Sequence, residues 1–146
     1  MAKTYRVSIG TRLINVLFWA LTRLGLGASY RHILTVRGRK TGRVYSTPVD
    51  VMQLGGHRWL VAGYGLVSWV RNVQASGEAT LSRGSHSENF RVENVQPRDA
   101  IPVLRKYMTE IRVTSAYFDT TPDSPDETIA AETMKHPVFR LVSVSS

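Results

Sequence analysis

Two short runs rich in β-branched residues, His32–Val36 and Val44–Val51, are separated by seven residues, 37–43, that hold four cations and two glycines. Strands joined so closely can only pair antiparallel, since a parallel crossover needs a dozen residues or more. The turn between them is built to hold an anion. Gly38 and Gly42 let backbone amides approach a ligand, and Arg37, Arg39, Lys40 and Arg43 offer charge-assisted hydrogen bonds of roughly 1.5–3 kcal/mol each. Gly38-Arg39-Lys40-Thr41 is not a nucleotide P-loop, because Arg39 stands where that motif needs a glycine and a strand follows where it needs a helix. The competing reading of the turn is a solvated hairpin tip, the ordinary fate of a charge run.

The hairpin fixes how the rest of the chain is read. Gly55-Gly56 is a two-residue turn into a third strand, His57–Ala62, and Pro48 marks an edge or a bulge in the strand before it. Gly63-Tyr64-Gly65 then leads to Ser68 as N-cap and a short helix, Trp69–Ala75, that closes near Gly77. Such a loop before a helix N-terminus is a second anion-friendly feature, although Trp69 and Val73 also suit a plug at the end of a barrel. Ala79–Ser82 and His86–Val95 flank Arg83-Gly84-Ser85 as another hairpin. Pro97–Thr109 reads as a helix with Ile101, Leu104, Tyr107, Met108 and Ile111 on its buried stripe. A polar loop, 119–125, a helical turn around Thr128–Met134 and a last strand, Val138–Val144, complete the pattern. Six short strands joined by hairpins give a mainly β (α+β) fold: an antiparallel barrel with peripheral helices, one domain over 1–146.

Charge narrows the partner. Nineteen Lys and Arg against eleven Asp and Glu give +8, which points to a phosphorylated cofactor, nucleic acid or a lipid surface. The chain has no cysteine, so disulfides, thiol nucleophiles and Cys-zinc sites are out, and its four histidines show no ligand spacing, so no metal is expected. Each histidine reads as a surface or strand residue. The start of the chain lacks the shape of a secretion signal, and a cytoplasmic location is expected. Residues 11–26 read as an amphipathic helix with Leu13, Ile14, Leu17, Phe18, Leu21 and Leu24 on one side. Its uncharged stretch, Leu13–Thr22, is about half a bilayer span, so core packing or peripheral membrane contact are its two readings.

Three segments together, LTVRGRKTGRVYSTPVDV, GGHRWLVAGYG and WVRN followed by an Ala and a Gly, resemble the deazaflavin (F420)-dependent nitroreductase family of split β-barrel proteins. HPVFRLV is similar to that family's closing strand. The likeness is strong over residues 30–83 and loose elsewhere. It implies an FMN-binding-like split barrel and coenzyme F420 as cofactor, with FMN as the alternative, since related barrels hold it by a similar phosphate-and-ring logic. On this mapping Lys40 pairs with the phosphate, helped by Arg37, Thr41 and Arg43 in the turn. Tyr45 stands where relatives carry a phosphate-binding Arg. Thr47 and Pro48 line the ring pocket; Ala62, Gly63, Tyr64 and Gly65 present backbone; Ser68, Trp69, Arg71 and Asn72 close the site. The loop from Tyr64 to Trp69 is shorter than in better known members, and Ser76-Gly77 replaces their Asn-Pro.

The implied activity is hydride transfer from reduced F420 to an electron-poor acceptor, a quinone, nitro compound or activated alkene. Tyr64, Tyr107 and Tyr117 are the candidate proton donors, because a phenol can support the charge that develops on the acceptor. Tyr107, on the helical stripe, fits packing better, whereas Tyr64 in the Gly loop is the strongest candidate. Two rival classes remain: a basic barrel that binds nucleic acid with Trp59, Tyr64 or Trp69 stacking on bases, and a cofactor or lipid carrier without turnover. Against nucleic acid, the aromatics are not interleaved with the basic turn.

Overall fold

The computed structural model describes residues 31–144, together with Val16 and Leu17. Of the helix expected over 11–26, only those two residues fall within it, and both are helical; the rest lies outside the described residues. Six strands, β1 (Arg31–Arg37), β2 (Val44–Leu54), β3 (His57–Val61), β4 (Glu78–Arg83), β5 (His86–Asn94) and β6 (Val138–Ser143), close into an antiparallel barrel. Their order around it is β1-β2-β3-β6-β5-β4, with β4 returning to β1. Within residues 31–144 the helices are α1 (Ser68–Ser76), α2 (Pro97–Glu110) and α3 (Asp126–Glu132), with a 3-10 helix at Arg112–Tyr117.

The alternation of each strand sorts its side chains. Leu34 and Val36 of β1, Val49 and Val51 of β2, Leu60 of β3, Phe90 of β5 and Phe139 and Leu141 of β6 fill the barrel. Val70 and Val73 of α1 join them, so this helix stoppers one end. At the other end of β3, Arg58 lies 4.5 Å above the Phe90 ring and donates to both carboxylate oxygens of Glu88, which also accepts from Ser143 Oγ at 2.8 Å. On the outside, Met52, Val61 and Val138 meet Val103, Leu104 and Tyr107 of α2 in a second core. Ile101 is only partly buried; Ala100 and Val103 take the place on the stripe that it was expected to fill.

Two local features decide where a ligand can enter. Gly55 and Gly56 adopt φ of 65° and 79°, the mirror-image turn that suits a two-residue hairpin, and it brings Leu54 opposite His57. β2 pairs with β1 along Val44–Asp50 but with β3 only from Val51 onward. Its first half is therefore a one-sided edge. Pro48, which has no amide to donate, sits in that half opposite Ile33 with no break in register, so the expected disruption is an edge and not a bulge.

Candidate functional site

The split beside the first half of β2 opens into a cleft of about 820 Å³. Its floor continues the inner face of the β1–β2 hairpin: Val36 and Gly38 on one strand, Tyr45 and Thr47 on the other, two residues at a time above the side chains that fill the barrel. Pro48 forms the edge. Across from them the Gly loop and α1 supply Tyr64, Leu66, Val67, Ser68, Trp69 and Arg71, and the basic turn closes one end with Arg39, Lys40 and Thr41.

The turn is held firmly. Gly38 N–H donates to Arg43 O at 2.6 Å and Gly42 N–H to Gly38 O at 3.0 Å, the latter with φ 74° at Gly42. Arg37 Nη1 donates to Gly42 O at 2.7 Å. A longer contact joins the turn to α1: Asn72, only 4% exposed, accepts through Oδ1 from both Arg39 N (3.1 Å) and Arg39 Nη1 (2.7 Å). A side chain on Gly38 would meet the Tyr45 ring at 2.5 Å, so the glycine is what lets that ring lie over the turn. Lys40 and Arg71 are exposed, and Arg71 Nε donates to Leu66 O at 3.2 Å, which holds its guanidinium beside the cleft.

The helix start differs in detail from expectation. Val67, extended at φ −76° and ψ 175°, is the N-cap and makes no side-chain cap; Ser68 is the first helical residue. Val67 O takes the amides of Val70 and Arg71, and helix geometry leaves those of Ser68 and Trp69, two residues of the cleft lining, without an intrahelical acceptor. Gly77, at φ 72°, ends the helix as expected by donating to Val73 O at 2.8 Å.

Of the residues singled out from the sequence, the cleft gathers Lys40, Thr41, Tyr45, Thr47, Pro48, Tyr64, Ser68, Trp69, Arg71 and Asn72. The others stand elsewhere, each for a physical reason. Arg37 is spent on the turn's own carbonyl, and Arg43 contributes backbone to the turn while its side chain is exposed away from the cleft. Ala62 is buried with its carbonyl turned to His136, and Gly65 is occupied in turning the chain, with φ 92° and its amide on Ala62 O. Gly63 and Tyr107 face a niche of about 60 Å³ that shares Pro48, Tyr64 and Trp69 with the cleft. There the Tyr107 hydroxyl lies against Gly63 so closely that no side chain could be added, and the ring is 3% exposed. Tyr107 is a packing residue. Tyr117 does not line the cleft either; its ring stands edge-on to Tyr64, centroids 5.3 Å apart.

The sequence reading counted Gly38 and Arg39 in the anion-holding turn without giving either a cofactor contact, and it did not assign Val36, Leu66 or Val67 to the site. Arg39 was visible as one of the four cations, but its partner Asn72 is 33 residues away. Asp50, beside the niche, was also missed: burial pushes its carboxyl above the usual aspartate range in spite of the Arg31 guanidinium 3.2 Å away.

A family model for F420H(2)-dependent quinone reductases matches residues 22–125. The chain belongs to that family. The matched span runs from before β1 to the loop ahead of α3 and so contains every residue of the cleft. No curated protein matches the sequence significantly. Among solved structures, an F420-H2 dependent reductase superposes with a TM-score of 0.51 at 17% identity, over 77% of this chain and 93% of the other. A FAD-binding protein from Mesorhizobium loti gives 0.50 at 11% identity, over 87% and 89%. The heme storage protein from Vibrio cholerae gives 0.52 at 11%, over 80% and 83%. Likenesses this distant establish the split-barrel fold, while the family match carries F420-dependent oxidoreduction. Among the described residues no group of side chains could hold a metal ion, and no helix is long and apolar enough to cross a membrane.

Proposed function

We propose that this quinone reductase family member holds F420 in the β2–α1 cleft and reduces a quinone there. The observation that carries the reading is the cleft itself: one space is lined both by the cations of the turn and by Pro48, Tyr64 and Trp69. Its volume is in the range of cofactor sites, and its lining combines cations and hydroxyls with apolar and aromatic side chains. A ligand with a planar ring system and a phosphate-bearing tail is the molecule such a lining fits. Trp59, one of the three aromatics considered for stacking on bases, does not line the cleft, which favours such a small molecule over nucleic acid.

In this reading Lys40 and Arg71 hold the phosphate and acidic tail, with the Ser68 and Trp69 amides at the positive end of α1. Thr47, Pro48 and Trp69 seat the ring system. The bound cofactor, when reduced, supplies a hydride, and the cofactor carries that chemistry itself. The chain orients the acceptor and provides the proton that turns a quinone plus hydride into a hydroquinone. Tyr64 takes this role in the reading, supported by its position: half-buried and lining both cleft and niche, it can donate a hydrogen bond to the oxygen on which charge develops and recover its proton from solvent. Turnover of menadione with reduced F420 tests the reading. Wild-type turnover with a large loss of kcat, but not of cofactor affinity, in Tyr64→Phe is the expected result; failure of the wild-type protein to oxidise reduced F420 with any quinone would overturn it.

A further inference from the structure

Outside the cleft lining lies a buried histidine–glutamate pair that the proposed chemistry does not use. His136, 2% exposed, was expected at the surface or in a strand and is instead enclosed just before β6. Its Nδ1 is 2.7 Å from Ala62 O and its Nε2 is 2.8 Å from Tyr117 O. Both partners are carbonyl oxygens, which can only accept. Two such contacts require a proton on each ring nitrogen, and an imidazole with two N–H groups is a cation. A buried cation needs a counter-charge, and Glu132, 2% exposed, provides it at 3.9 Å. One oxygen of Glu132 accepts from the Asp119 amide at 2.6 Å; the other, Oε2, has no hydrogen bond and is the oxygen that faces His136 and, at 3.7 Å, Lys135 Nζ. The imidazole stacks on Phe118, centroids 3.8 Å apart.

The two carbonyls that His136 joins belong to the two segments that meet at Tyr64, a residue of the cleft lining. Ala62 begins the Gly loop two residues before Tyr64, and Tyr117 ends the 3-10 helix with its ring against Tyr64. We infer that His136 is held as a buried imidazolium and acts as a positioning residue: by clamping Ala62 and Tyr117 it sets Tyr64, which stands edge-on to the Tyr117 ring, in the lining of the cleft. Loss of the second ring proton puts a lone pair against one carbonyl oxygen, and that side of the clamp lets go. The groups around the ring are Glu132 and Lys135 from α3 and the turn after it, Asp119 following the 3-10 helix, Tyr117 on that helix, Tyr64 in the Gly loop and Tyr107 of α2 beyond Phe118. Among them Glu132 is the anion in closest reach of the ring. Lys135, held to its charged form by Asp119 and then by Glu132, balances the second negative charge of the cluster.

The electronic state of the ring can be read without any cofactor. Long-range 1H–15N correlation on the full chain, assigned with His136→Gln, should show two protonated ring nitrogens for His136 at neutral pH. One pyridine-type nitrogen there would overturn the inference. Glu132→Gln, which keeps the shape and removes the counter-charge, should show one pyridine-type nitrogen at His136 under the same conditions; two protonated nitrogens in that variant would remove Glu132 from the account. The positioning role rests on the proposed quinone reductase activity and has its own readout. The kcat should fall in Glu132→Gln together with the loss of the second ring proton, while F420 affinity stays within about twofold, because neither Glu132 nor His136 lines the cleft. A kcat that Glu132→Gln leaves unchanged while the ring loses its second proton would leave the clamp structural and overturn its role in positioning. Absence of turnover in the wild-type protein would count against the proposed function, and the nitrogen shifts would still decide the state of His136.

Discussion

Lys40 is the residue on which ligand binding should depend most simply. It is exposed at the basic end of the cleft, and removing a single charge-assisted contact of ~1.5–3 kcal/mol corresponds to roughly a tenfold to hundredfold loss of affinity. Lys40→Ala should show that loss in an F420 titration with its unfolding midpoint unchanged. Gly63 makes the opposite case, in which fold and not binding is at stake. An added methyl there would enter the Tyr107 hydroxyl, so Gly63→Ala should cost about 1–3 kcal/mol in urea unfolding, and Tyr107→Phe in the same chain should recover part of it. A full-strength Gly63→Ala protein would contradict the packing described around Tyr107. Single residues were legible in the sequence where their chemistry is intrinsic, as for Lys40 and the glycines of the turns. They were illegible where a distant partner decides the outcome: Arg37 and Arg43 carry the same charge as Lys40, but the turn consumes one and points the other away. His136 offered no signal at all, because its two acceptors come from segments 74 and 19 residues away.

At the level of elements, the strand pattern was legible because each strand alternates and each hairpin has a two-residue or glycine-marked turn. Observed strand ends lie within a residue or a few of those expected. The helix start after the Gly loop was shifted by one residue because Ser68 looks like a cap but Val67 has the extended backbone that a cap needs. What the pattern could not show is that α1 and the basic turn are one mechanical unit. Asn72, on the buried side of α1, is held by two donors from Arg39, and Asn72→Ala would leave the backbone amide of Arg39 without its acceptor. The expected cost is about 1–3 kcal/mol of stability, together with faster hydrogen exchange confined to residues 37–43. Unaltered exchange in the turn would show that α1 does not fix it.

For the whole molecule, the barrel joins two cores of different character, an inner one sealed by α1 and an outer one beneath α2. Phe90 is central to the first, and Phe90→Ala should cost about 3–5 kcal/mol. The carboxylates of the strands make stability depend on acid. Ser143, then Arg58, hold Glu88 below the usual glutamate range, and Arg140, then Arg91, do the same for Glu93. Both therefore contribute stability that is present above the ordinary glutamate value and is lost as pH falls through their lower ones. Asp50 works in the other direction: its folded value is raised, so the native state binds the extra proton and stability falls as pH rises through that window. Urea unfolding from pH 7 downward should show acid destabilisation that flattens in Glu88→Gln and steepens in Asp50→Asn; equal slopes in all three proteins would contradict these assignments.

The central claim is that the cleft between β2 and α1 is an F420 site with its phosphate end at Lys40. Trp69 in its wall is a built-in reporter. Titration of the full chain with F420, followed by tryptophan fluorescence and repeated with Lys40→Ala and with Trp69→Phe, tests it most directly. The account predicts saturable quenching that largely disappears in Trp69→Phe and shifts to tenfold or higher concentration in Lys40→Ala. Saturable binding that Lys40→Ala leaves unchanged, or no binding of F420 at all, would contradict it.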